Sequence, residues 1–128
     1  MEGVPPMAWK KELQQRIDPQ PNLRRERLFG RRIICDEEGW SFRPLSSSAG
    51  RIDGYRYEEK GRQLTLGGEG QTEMDIVIPP HLTWDDATST AIDDESAKRI
   101  LFNITAAIQW SGFSVYFSYQ CGDSDSDL

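Results

Sequence analysis

The chain has 128 residues, of which 37% are hydrophobic and 28% are charged, and its formal net charge is −6. This length suits one domain with one core, and the apolar content argues against a chain that is disordered throughout. No run of about 18 apolar residues is present, which excludes a membrane-spanning helix. The start lacks a secretory leader and the two cysteines lie far apart, so we expect a cytoplasmic protein with free thiols.

Charge divides the chain into unequal parts. Residues 1–34 hold eight Lys and Arg against four acids, whereas residues 35–128 hold seven against seventeen. We therefore predict a basic N-terminal arm or peripheral helix over residues 1–26, a single α+β domain over residues 27–120, and a disordered acidic tail over residues 121–128.

Short alternating runs in the middle of the chain predict β-strands. Residues 33–35 and 40–42 flank an acidic turn and are typical of a hairpin. Alternation of apolar and polar residues predicts three further strands, at residues 52–57, 62–66 and 74–78. The glycines of 67–70 predict a flexible turn between the last two of these strands.

One helix is strongly indicated near the C-terminus. Asp93 or Asp94 can cap it and Glu95 lies in its first turn, while apolar residues follow at helical spacing as far as Ile108. Residues 113–119 alternate again and predict a final strand. The order of elements predicts an α+β fold: an antiparallel β-sheet of about five to six strands with one principal C-terminal helix packed on one face.

The sequence holds no recognisable catalytic or metal-binding spacing. His81 is the only histidine, no paired Cys or His motif is present, and Ser46–Ser48 lacks the glycines of a nucleophile elbow. We expect no metal, no cofactor and no enzymatic activity. A small enzyme whose site is assembled in space around His81 remains an alternative.

Two surfaces are candidates for binding. Acids that flank a tryptophan favour a basic protein partner, and this predicted contact set is Trp84, Asp85, Asp86, Asp93, Asp94 and Glu95. Arginines interleaved with Phe29 are typical of contact with phosphates and bases, and this alternative nucleic-acid set is Arg24, Arg25, Arg27, Arg31 and Arg32. The acidic body of the chain argues against the second set, because it repels a polyanion.

Residues 55–117 resemble a family of small bacterial immunity proteins, which neutralise the toxins of polymorphic, contact-dependent systems. The resemblance is carried by Tyr57, Gly61, Arg62, Leu64, Glu69, Trp84, Asp85, Arg99, Ile100, Asn103, Ile104, Ala107, Gly112 and Phe113. It covers a little under half of the chain. It implies a non-catalytic protein that binds a cognate protein toxin, such as a basic nuclease, and blocks its active site or substrate channel. It also implies that Asn103 is structural and that Arg99 pairs with a nearby acid.

Overall fold

The computed structural model describes residues 16–18, 20–26, 31–46, 51–70 and 73–119. The predicted class is confirmed, since the described residues form one α-helix and one sheet. The elements are β1 (Arg24–Arg25), β2 (Ile33–Cys35), β3 (Trp40–Ser46), β4 (Ile52–Glu59), β5 (Arg62–Gly70), β6 (Glu73–Ile78), α1 (Asp94–Trp110) and β7 (Ser114–Tyr119). The predicted acidic tail and most of the predicted N-terminal arm lie outside the described residues. In the described part of the chain, no helix is long and apolar enough to cross a membrane.

The sheet has seven strands in the order β1 to β7, rather than the predicted five or six. Neighbouring strands are antiparallel from β1 to β6, whereas β6 and β7 are parallel. The parallel pair arises because α1 carries the chain back along the sheet before β7 begins. Strand β1 was missed because two consecutive arginines carry no strand pattern. Its pairing with Ile33 and Ile34 places it in the sheet, within the segment predicted as an arm.

The alternation of the strands places the core on one face of the sheet. Large side chains of β3 and β4 stack in pairs, Trp40 on Tyr57 and Phe42 on Tyr55, with ring centroids 5.8 Å apart in both cases. Helix α1 covers this face with the apolar stripe that its sequence predicts. The buried residues of the helix are Ala97, Ile100, Leu101, Ile104, Thr105, Ala106, Ala107 and Ile108. Cys35 is a buried free thiol in the same core.

The prediction of a turn at Gly67–Gly70 is wrong, because these residues continue β5. Gly68 pairs with Ile76 of β6 at a φ of 138°, and a Cβ atom at Gly68 would lie 1.9 Å from the carbonyl oxygen of Asp75. Only glycine allows the two strands to approach this closely. The glycines therefore serve strand pairing rather than chain reversal.

The strand directions give the sheet two distinct ends. The turns at residues 36–39 and 60–61 and the loop at residues 79–93 share one end with the N-terminus of α1. The opposite end holds the starts of β6 and β7 and the C-terminus of α1. The acids of residues 36–38 and 85–95 lie at the first end, whereas Arg25, Arg31 and Arg51 line a cavity at the second.

Candidate binding surfaces

Trp84, the centre of the predicted contact set, lies in the core. Its side chain is only 6% exposed, and the guanidinium of Arg62 lies 4.9 Å from the centroid of its ring. Its backbone N–H donates to the carbonyl oxygen of Thr90 at 2.9 Å. The ring therefore positions the surrounding loop, and a partner would meet the arginine before the indole.

The acids that follow Trp84 lie on the surface and fasten the same loop to the sheet. Asp85 accepts a hydrogen bond from Thr65 Oγ1 at 2.5 Å. Asp86 pairs with Arg62 at 2.9 Å and also accepts from the backbone N–H of Thr90 at 3.1 Å. The hydrogen bond from Arg62, followed by those from Thr90, holds the pKa of Asp86 well below its usual range. The Asp86 carboxylate therefore remains charged at neutral pH, and both side chains are exposed to solvent.

The remaining predicted acids begin helix α1. Asp93 is the N-cap, and its carboxylate accepts from the backbone N–H of Ser96 at 2.7 Å. This hydrogen bond lowers the pKa of Asp93. Asp94 and Glu95 occupy the first turn, where a negative charge complements the helix dipole. The structure thus brings the loop acids and the helix acids to the same end of the sheet.

Replacing Asp93 tests whether the N-cap of α1 stabilises the fold. Asp93→Ala leaves one N–H of the first turn without its acceptor, and we expect the thermal midpoint to fall by about 3–6 °C. Asp93→Ser restores an acceptor at the same position, and we expect it to recover most of the loss. Thermal unfolding followed by circular dichroism measures both variants. An unchanged midpoint in Asp93→Ala would contradict the capping role.

A second group of acids, which sequence analysis treated only as a turn, lies at this end. Asp36, Glu37 and Glu38 are exposed in the turn between β2 and β3. Asp36 forms an ion pair with Arg24, and Glu38 accepts from the indole N–H of Trp40 at 3.0 Å. The sequence alone could have indicated this group of acids, because three consecutive charged side chains in one turn are exposed to solvent. We call the eight exposed acids at this end of the sheet the acidic end: Asp36, Glu37, Glu38, Asp85, Asp86, Asp93, Asp94 and Glu95.

Residues of the resemblance motif meet in a network between β4 and α1. Tyr57 and Glu59 lie two apart on the strand, and Arg99 and Asn103 lie four apart on the helix, so each pair faces the other element. The Tyr57 hydroxyl donates to Glu59 Oε1 at 2.7 Å and accepts from Asn103 Nδ2 at 2.9 Å. Arg99 donates to the same Glu59 oxygen. The expected pairing of Arg99 with an acid is confirmed.

The ionisation of this network favours a structural role. Burial raises the pKa of Glu59, but the hydrogen bonds from Arg99 and Tyr57 lower it by more than burial raises it. The pKa of Glu59 therefore lies below its usual value. Burial and the bond to Glu59 raise the pKa of Tyr57 far above its usual range. Glu59 is therefore charged and Tyr57 neutral over the whole physiological range. Neither has the near-neutral pKa that suits a general acid or base.

The structure places the arginines of the predicted nucleic-acid set in two different environments. Arg24 pairs with Asp36, and Arg32 lies 3.4 Å from Glu26 and 3.2 Å from Glu58. Two others line a cavity at the opposite end of the sheet from the acids: Arg25 and Arg31. The guanidinium of Arg25 also lies 5.1 Å from the centroid of the Trp110 ring. Arg27 lies outside the described residues.

Within the ranges that the structure describes, no three His, Cys, Asp or Glu side chains converge as a metal site requires. His81 is exposed in the loop after β6, at the acidic end, and does not line the cavity.

The fold and these surfaces define a small α+β protein with eight exposed acids at one end of its sheet and an arginine-lined cavity at the other. Comparison of the chain with models of protein families, with curated proteins and with solved structures found no match.

Proposed function

We propose that this chain is a non-catalytic binding protein that neutralises a cognate protein toxin, and that its acidic end contacts a basic face of that toxin. The observation that carries the proposal is that eight exposed acids lie at the end of the sheet that also holds the N-terminus of α1. An acidic surface attracts a basic protein over long range and resembles the polyanion that a nuclease binds.

The position of the resemblance residues supports the same proposal. Tyr57, Arg99 and Asn103 hold the helix on the sheet, while Arg62 and Trp84 hold the acidic loop. A family that shares these residues would share a scaffold and could vary the exposed acids to suit different toxins. We therefore restrict the proposed contact surface to the acids and exclude the buried ring of Trp84.

Capture from the native host tests this function. The purified full-length chain, used as bait and washed at moderate salt, is expected to retain one basic protein at equal stoichiometry. That protein, expressed alone, should arrest growth, and co-expression with this chain should restore it. Capture of a basic protein that has no effect on growth would contradict neutralisation. Recovery of no stoichiometric protein would count against a cognate toxin in that host.

A second function, association with nucleic acid, is favoured by one arrangement. Arg25 stacks on Trp110, which is 36% exposed, and Arg31 lies on the same cavity. Arginine with exposed aromatic rings suits phosphate contact and base stacking. Retention on a phosphate matrix that falls steeply with salt, together with binding of single-stranded oligonucleotides, would favour this function over the first.

A further inference from the structure

A cavity of about 550 Å³ lies at the end of the sheet opposite the acids, next to the C-terminus of α1. Its floor is formed by apolar side chains from four strands and the helix: Ile33, Phe42, Ile52, Met74 and Ile108. Most of these residues belong to the buried core, so the floor is rigid and desolvated. Sites for small molecules have volumes of about 300–1,000 Å³ and mostly apolar walls. The cavity therefore suits the apolar body of a small ligand.

Three exposed arginines line the same cavity: Arg25, Arg31 and Arg51. They come from β1, from the segment before β2 and from the segment before β4, so only the folded chain brings them together. None of them forms an ion pair with a described residue, whereas Arg24 and Arg32 both do. The described lining residues include no Asp or Glu. In a chain of net charge −6, this local excess of positive charge selects an anionic ligand.

The C-terminus of α1 opposes an anion at this position, but weakly. The helix dipole places roughly half a negative charge there, against three full positive charges on the arginines. Carbonyl groups of the last helical turn also accept hydrogen bonds within the chain. Ser111 N–H and Oγ both donate to the carbonyl of Ala107, and Phe113 N–H donates to that of Ile108. The three arginines therefore outweigh the helix dipole at the cavity.

We propose that this cavity binds a small amphipathic anion, such as a medium-chain or aromatic carboxylate. The apolar body would lie on the floor against Phe113, which is 39% exposed, and the carboxylate would face the guanidinium groups. Arginine suits this role because its planar group binds a carboxylate through two parallel hydrogen bonds. The site is independent of the proposed toxin surface, which lies at the other end of the sheet.

Competition between ligands of equal chain length but different charge tests whether the cavity requires an anionic group. The full-length chain is titrated with the fluorescent anion 8-anilinonaphthalene-1-sulfonate, which is then displaced with octanoate, octanol or octylammonium. We expect one saturable site and displacement by octanoate at a concentration at least fivefold lower than by octanol. Octylammonium should not displace the probe. The absence of saturable binding, or equal displacement by octanoate and octanol, would overturn the proposal.

Exposed substitutions then locate the site without disturbing the core. Arg31→Glu and Arg51→Glu are each expected to weaken octanoate binding about tenfold, the loss of one charge-assisted contact. Phe113→Ala should weaken octanoate and octanol alike. Arg43→Glu, an exposed reversal on β3 outside the cavity lining, is the matched control and should leave affinity unchanged. Equal losses in Arg43→Glu and Arg51→Glu would refute the site. Stronger displacement by oligothymidylate than by octanoate would assign the cavity to nucleic acid instead.

Discussion

Replacing Trp84 with alanine is expected to lower the free energy of unfolding by about 3–5 kcal/mol, the range for removal of a buried aromatic side chain. The ring is 6% exposed, so its loss leaves a cavity under the loop that carries Asp85 and Asp86. The substitution also removes the ring beneath the Arg62 guanidinium, 4.9 Å from its centroid. Denaturant unfolding at neutral pH measures the effect.

Trp110 supplies the matched control. It is 36% exposed and contacts Arg25 through its ring face, so Trp110→Ala should cost about 1 kcal/mol or less. Equal destabilisation by the two substitutions would contradict the different burial of the two rings. The comparison also matters for binding studies, because any loss of partner binding in Trp84→Ala would reflect a disturbed loop rather than a lost contact.

Removing the carboxylate of Glu59 is expected to give the second-largest effect, a loss of about 2 kcal/mol in Glu59→Ala. Glu59 is 7% exposed and accepts bonds from both Tyr57 and Arg99. Its removal leaves the buried Tyr57 hydroxyl without its acceptor. The loss is smaller than for a fully buried ion pair because the Arg99 side chain is 48% exposed and water can solvate it. Unfolding in denaturant measures the loss.

The same carboxylate should make stability depend on pH. The pKa of Glu59 is lower in the folded state than in the unfolded state, where it is near 4.5. Its stabilising contribution is therefore fully present above pH 4.5 and is lost as pH falls through the folded pKa. The difference in unfolding free energy between the wild type and Glu59→Gln should be constant from pH 7 to 5 and shrink in stronger acid. A constant difference for Glu59→Gln down to pH 2.5 would contradict the assignment.

Local patterns predicted most of the elements. The alternation in β2 to β7 and the apolar stripe of α1 are properties of neighbouring residues, and Asp93 was one of the two expected N-caps. The failures involved long-range contacts. The two residues of β1 become a strand only because Ile33 and Ile34 pair with them, and Gly67–Gly70 extend β5 because β6 approaches Gly68 closely.

The candidate surfaces were predicted only in part, and for a similar reason. Charge pattern identified the acids of residues 85–95, since a charged side chain is exposed in most environments. It did not identify Trp84 as buried, because a tryptophan among acids suits either a core or an interface. The cavity was not predicted at all. Arg25, Arg31 and Arg51 meet there through tertiary structure, and no sequence spacing relates the third to the other two.

The central claim, that the acidic end binds a basic protein, is tested most directly by the affinity of the captured partner for two matched variants. The first combines Asp85→Asn, Asp94→Asn and Glu95→Gln at the acidic end. The control combines Asp53→Asn, Glu69→Gln and Glu73→Gln, which are exposed acids toward the other end of the sheet and remove the same charge. We predict that the first variant binds at least tenfold more weakly, with the control close to the wild type. Equal weakening of both variants would mean that the attraction depends only on net charge and not on the position of the acids. Unchanged binding by the first variant would contradict the proposed surface.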